Sequence, residues 1–193
     1  MYPAPSMDTD VSDEELMLRY REGEAPAFEA LYRRHRAPLF RYFLRQCDDR
    51  ASAEELFQET WTALIRARGT YAATARFTTY LYRLAHNRLM DHYRGLRRAP
   101  PLSYSDNPAP LESVPAGSEQ QPERRLESER EHERLLGLIA SLPEAQREVF
   151  LLRQHTGLSL EEIAGVVGVN AETAKSRLRY ALVKLRGGME VPA

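Results

Sequence analysis

Between positions 98 and 122 the chain reads RAPPLSYSDNPAPLESVPAGSEQQP, and no other stretch limits the fold as much. Its prolines remove backbone donors, and the small polar residues between them offer nothing to bury. No element of a compact domain runs through such a segment, so it is read as a linker. Fully extended, its roughly 24 residues reach about 80 Å. The chain is thereby divided into a unit at 12–98, the linker at 99–122 and a second unit at 123–188. A disordered tail is expected at 1–11 and a short one at 189–193.

On both sides of the linker strand signals are nearly absent and helical ones frequent. Ser12-Asp-Glu-Glu15, Ser52-Ala-Glu-Glu55, Ser141-Leu-Pro-Glu144 and Ser159-Leu-Glu-Glu162 each match a capping box. Apolar residues follow at helical spacing. Phe28, Leu31, Tyr32, Leu39, Phe40 and Phe43 line one helix; Leu56, Trp61, Leu64 and Ile65 the next; Leu81, Leu84, Ala85 and Leu89 a third. The expected fold class is all-α, two small helical domains joined by a long flexible linker.

The second unit carries the sharper pattern. Residues 160–168 form a short helix, and Gly168-Val-Asn170 is a turn. Gly168 suits the left-handed conformation at a helix end, and Asn170 can cap the helix that follows. That helix buries Ala174, Leu178, Ala181 or Leu182, and Leu185 against Ile163, Ala164 and Val167. Glu172, Lys175, Ser176 and Arg179 share the opposite face. This is a helix-turn-helix, whose second helix enters the major groove. Lysine and arginine there can pair with guanine, each good pair giving about 1–3 kcal/mol of discrimination. Arg177, Lys184 and Arg186 suit phosphates.

The formal net charge of −1 hides a segregation. Basic residues concentrate at 76–98 and 175–186, and acids at the N-terminus, 54–59 and 112–133. Two basic segments point to two polyanion contacts, and the acidic one to a different, charge-complementary partner. Residues 71–94 interleave Tyr71, Phe77, Tyr80, Tyr82 and Tyr93 with Arg76, Arg83, Arg88 and Arg94. That mixture suits single-stranded nucleic acid, with bases stacked on rings and arginines along the backbone. The alternative is that most of these rings are core.

Four motifs in order then resemble the extracytoplasmic-function sigma factors of the sigma-70 family. Ser-Ala-Glu-Glu-Leu-Phe-Gln-Glu-Thr-Trp61 is similar to their clamp-binding motif. Thr79-Tyr-Leu-Tyr-Arg-Leu-Ala-His-Asn-Arg-Leu-Met-Asp91 is similar to their strand-binding helix. Residues 141–150 with 158–164, and Thr173-Ala-Lys-Ser-Arg177, resemble their fourth region. The resemblance covers about 13–186. It implies a transcription initiation factor that binds core RNA polymerase and recognises the −35 and −10 promoter elements. Glu54, Glu55, Gln58 and Glu59 would face the clamp coiled coil. Tyr71, Arg76, Thr79, Tyr80, Arg83, Asn87 and Arg94 would hold the −10 strand, with a base taken out of the stack. Asn170, Thr173, Lys175, Ser176, Arg177 and Arg179 would contact the −35 element. The polymerase flap region and an anti-sigma factor are further implied partners.

Departures from the family pattern matter too. Tyr80 stands for the usual Trp and keeps an aromatic ring. Glu172 stands where many relatives have Gly. Ser52 replaces the first acid of the clamp motif; it is read first as a helix N-cap and second as a phosphorylation site restoring the missing charge.

Other functions are disfavoured. No apolar run approaches the ~20 residues of a membrane span, and no secretory signal is evident, so a cytoplasmic protein is expected. The lone Cys47 excludes an internal disulfide and reads as a half-buried, inert thiol. His86 with His92, and Glu129 with His132, are not metal sites, and no cofactor is expected. Without a nucleophile–base arrangement or phosphate loop the chain is not read as an enzyme. The rival reading is a stand-alone helix-turn-helix regulator.

Overall fold

The computed structural model describes residues 11–98 and 122–190. These form eight α-helices and one short 3-10 turn, with no strand among the described residues. The expected linker and N-terminal tail lie largely outside them. Four helices make the first unit: α1 (Asp13–Arg21), α2 (Ala25–Gln46), α3 (Arg50–Ala67) and α4 (Phe77–Arg98). Four make the second: α5 (Pro122–Ala140), α6 (Glu144–Thr156), α7 (Leu160–Val167) and α8 (Ala171–Glu190).

Local chemistry starts and stops these helices. The Ser12 hydroxyl accepts the Glu15 N–H at 3.2 Å, and Asp13, Glu14 and Glu15 place acids in the first turn of α1. Ser159 and Glu162 form the full reciprocal capping box on α7. The other two expected boxes are not formed. Asp49 caps α3, accepting the Ser52 N–H at 2.8 Å, and Ser52 sits inside the first turn. A carboxylate three residues upstream reaches the orphan N–H groups first. Likewise Pro143 precedes α6, and the Ser141 hydroxyl donates back to Leu138 O at 2.8 Å. Pro38 lies within α2, which continues through it.

Contacts distant in sequence order the first unit. Asp13 holds Arg34 and His35 at 2.6 Å each. Although burial resists its ionisation, the bonds from His35 and Arg34 hold the Asp13 carboxyl below its usual value. Oε1 of Glu14 accepts the Phe77 N–H at 2.6 Å, so α1 supplies the anionic cap for the start of α4. Phe28, Tyr32, Phe57 and Trp61 join α2 to α3 as an aromatic cluster, with Tyr32 and Trp61 centroids 4.9 Å apart.

Several expected core positions shift. Ile65 is 42% exposed, whereas Tyr42, absent from the expected stripe, is fully buried. In α8 the inward residue is Ala181, and Leu182 faces out. Gly187 and Gly188, at the end of the second unit, are helical, and α8 runs on to Glu190, into the expected tail. A side chain at Gly188 would run into Leu138 of α5, so the residue permits close approach of the two helices.

The two units do not stand apart. α2 packs on α6 and α4 on α7, and the buried apolar residues of both form one continuous cluster. Gln46, Arg147 and Glu148, three of the four buried polar residues among the described ones, lie at this junction.

Candidate nucleic-acid and protein interfaces

Three surfaces collect the residues singled out from the sequence. On α3, Glu54, Glu55, Gln58 and Glu59 are all exposed. Their helix turns inward through Ala53, Leu56, Thr60, Trp61 and Leu64. Glu54 pairs with Arg50 at 2.8 Å, while Glu55, Gln58 and Glu59 line an open cavity of about 700 Å³ with Thr62, Arg66 and Arg88. Such a face can receive a basic partner. Ser52 is half-buried and its hydroxyl donates to Oδ2 of Asp49 at 2.7 Å. A phosphate on Ser52 would be set against that carboxylate, so Ser52 is left out of the proposed site.

The α4 surface is divided. Arg76, Arg83, Asn87 and Arg94 are exposed, and Thr79 and Tyr80 half-buried. Tyr71 is only 4% exposed, its ring edge-on to Tyr80 at 5.1 Å and its carbonyl held by Arg21 at 3.1 Å. In this arrangement it is core and cannot stack a base. Burial, chiefly, pushes its hydroxyl up to about 12. Phe77, Tyr82 and Tyr93 are buried as well. Much of the aromatic interleaving therefore serves packing, and the arginines and Asn87 carry the surface. Two α4 residues and the one just before the helix also touch the second unit: Arg83 Nη2 donates to Gly165 O at 2.8 Å, the Thr79 hydroxyl meets Glu162 Oε1 at 3.5 Å, and Arg76 lies 3.9 Å from Glu162.

The third surface is the helix-turn-helix. Gly168 has φ 67° and ψ 35°, the left-handed cap expected of it. Oδ1 of Asn170 accepts the Thr173 N–H at 2.7 Å, so the α8 cap forms and leaves the amide nitrogen for other partners. Ile163, Ala164 and Val167 are buried with Ala174, Ala181 and Leu185, and Leu178 packs beside them. Lys175 and Arg179 stand exposed; Thr173, Ser176 and Arg177 are half-buried. Lys175 lies 3.7 Å from Glu172, and the Arg179 guanidinium sits 5.2 Å from the Tyr180 ring centroid. Both contacts are exposed and weak, so both cations remain free to rearrange onto another partner.

Residues 31–99 match the model of sigma-70 region 2, and residues 138–187 that of sigma-70 region 4. The RNA polymerase sigma factor CarQ of Myxococcus xanthus is 32% identical over 88% of this chain and 93% of its own length. The chain belongs to the extracytoplasmic-function sigma factors of the sigma-70 family. The ECF RNA polymerase sigma-E factor of Escherichia coli K12 is 30% identical over 89% of this chain and 91% of its own. Among solved structures, CnrH in complex with the cytosolic domain of CnrY superposes with a TM-score of 0.66 at 22% identity, covering 94% of this chain and 99% of that one. The sigma factor RpoE in complex with the anti-sigma factor NepR from Bartonella quintana gives 0.64 at 18%, covering 86% and 98%. Both share the fold of this sigma factor. Its α1–α4 unit holds region 2, and its α5–α8 unit holds region 4.

Sequence reasoning missed the residues that join the two regions. Gln46, Tyr42, His86, Arg147 and Glu148 lie in three different helices, and no local spacing links them. The only signal was a run of charged residues, Arg147-Glu148, at positions where the α6 pattern asks for burial.

Proposed function

We propose that this sigma factor binds core RNA polymerase through the acidic face of α3, holds the −10 strand on α4 and reads the −35 element with α8. The observation that carries the reading is the division of labour on the surface. One exposed face is acidic, and two others present arginine and lysine on helices whose opposite sides are core. Glu54, Glu55, Gln58 and Glu59 would meet the clamp coiled coil. Arg76, Thr79, Tyr80, Arg83, Asn87 and Arg94 would take the strand, Tyr71 supporting Tyr80 from beneath. Asn170, Thr173, Lys175, Ser176, Arg177 and Arg179 would contact the duplex. The flap region would receive the second unit.

The protein acts as an initiation factor and supplies no catalytic group of its own. No helix among the described residues is long and apolar enough to cross a membrane, and a polymerase subunit works in the cytoplasm. The likeness to a sigma factor held by an anti-sigma factor supports a partner of that kind here.

Promoter-dependent transcription with core polymerase tests the reading. Addition of the protein should direct initiation, and Glu55→Lys with Glu59→Lys should abolish co-purification with core while leaving helicity intact. A protein that ignores core polymerase and binds duplex DNA alone would be a stand-alone regulator.

A further inference from the structure

The loop that leads into α4 has little of its own to hold it. Residues 72–76 read Ala-Ala-Thr-Ala-Arg and are all exposed. Three alanines bring no apolar anchor, and Arg76, the residue before α4, has no side-chain oxygen with which to cap the helix. Within the loop the Thr74 N–H donates to Ala72 O at 2.8 Å. Its two ends are fastened instead by α1. Nη1 of Arg21 donates to Tyr71 O at 3.1 Å where the loop begins, and Oε1 of Glu14 accepts the Phe77 N–H at 2.6 Å where α4 begins. Tyr20, also on α1, holds the Arg68 guanidinium 5.3 Å from its ring centroid, in the 3-10 turn just before the loop.

α1 is itself fixed. Leu16, Met17 and Tyr20 are buried, and Asp13 binds Arg34 and His35 of α2. The His35 ring in turn lies 5.1 Å from that of Phe77. Both fastened ends bear on residues proposed to take the strand. The Tyr71 ring meets Tyr80 edge-on at 5.1 Å, so the bond from Arg21 to Tyr71 O bears on where Tyr80 stands. Glu14 sets the first turn of α4, which holds Thr79 and Tyr80 and follows Arg76; the Tyr80 N–H donates to Arg76 O at 3.2 Å. A base drawn out of the stack must find its partners already in place, because their contacts have to offset the lost stacking. Such a site works only when held to within about 0.5 Å of its productive geometry.

We propose that Glu14 and Arg21 of α1 are positioning residues for −10 recognition: without touching the strand, they hold the loop at 71–76 and the first turn of α4 in the shape that selects its bases. The inference rests on the functional reading above, in which α4 takes the strand. Glu14 is half-buried and Arg21 exposed, and neither belongs to the apolar face on which α1 packs, so the helix stays in place without them. Their loss leaves Arg76 and Arg83 to attract a strand through its phosphates. Phosphate contacts carry no sequence information, so what falls is selection among bases. The bond that Glu14 makes needs an oxygen and not a charge, and glutamine supplies one.

The test uses holoenzyme assembled from core polymerase and the full chain, with a pool of templates randomised upstream of the start site. Bound templates and transcripts are sequenced, and base preferences are read at the −10 and −35 positions that the unaltered protein selects. Glu14→Ala with Arg21→Ala should flatten the −10 preference at least about five-fold at one or more positions and leave the −35 preference unchanged. Each single alanine variant should show the same change to a lesser degree. Glu14→Gln should keep the preferences of the unaltered protein. A mere loss of folded protein lowers the number of templates recovered without altering the bases they carry, so the readout separates positioning from stability. An unchanged −10 preference in the double variant overturns the proposal, whatever the yield. So does a flattening shared equally by the −35 element, or a Glu14→Gln protein as unselective as Glu14→Ala. If Arg83→Ala with Asn87→Ala also leaves the −10 preference unchanged, the functional reading of α4 itself fails and the inference goes with it.

Discussion

Gly168 turns the chain between α7 and α8 with a positive φ that a side chain tolerates poorly. Gly168→Ala should lower stability by about 1 kcal/mol, visible as a lower urea midpoint. His155 is perturbed for a different reason. Burial first, and then Arg41 and Arg45 of α2, hold its pKa below the ordinary 6.5. The unfolded chain therefore takes up a proton at a higher pH than the folded one. The contribution is intact above pH 6.5 and is lost as pH falls toward the lowered value. Urea midpoints should drop between pH 7.5 and pH 5.5, and His155→Gln should flatten that slope. At Cys47, burial and the neighbouring Asp49 and Asp48 push the thiol up to about 12, in keeping with an inert side chain.

At the scale of the element, caps decide where helices begin. Asp49→Ala removes the acceptor at the start of α3 and should cost about 1 kcal/mol. Ser52→Ala removes only a hydroxyl donated to that same carboxylate, and should cost less. Thermal denaturation of the two variants would reveal the opposite order if Ser52 were the true cap. On α7, Ser159→Ala should weaken both the helix and the position of Glu162, because one reciprocal box fixes both. α4 shows the limit of reading an element from its composition. Its aromatic and basic residues looked like one surface, yet Phe77, Tyr82 and Tyr93 turned inward and Arg83 and Arg94 outward.

Across the whole molecule, one apolar cluster runs through both units and is crossed by a buried polar seam. Unfolding followed by calorimetry should show a single transition, since neither unit can open without exposing the other's buried surface. Tyr42→Phe with His86→Ala should split it in two. Both helix-turn-helix signals, Gly168 and Asn170, act within a turn, and so does the capping box at Ser159 and Glu162; these could be read directly from the chain. The same holds for the acids of α3, whose spacing alone places them on one face. The division into two units was also legible and agrees with the two family models, because a proline-rich stretch offers a helix few backbone donors and little apolar surface. What sits between the units was not. Tyr42 meets Glu148 across 106 residues, and Arg147 meets Gln46 across 101. By itself the sequence determined the helices, the caps at Ser12, Ser159 and Asn170, the recognition helix and the family, all of which depend on neighbours within a few residues. Only the tertiary structure decided that Tyr71 is core, that Arg147 and Glu148 are buried, and that Arg83 of α4 meets α7. Those outcomes depend on which distant surfaces meet, and desolvation with long-range hydrogen bonding settles them after the helices exist.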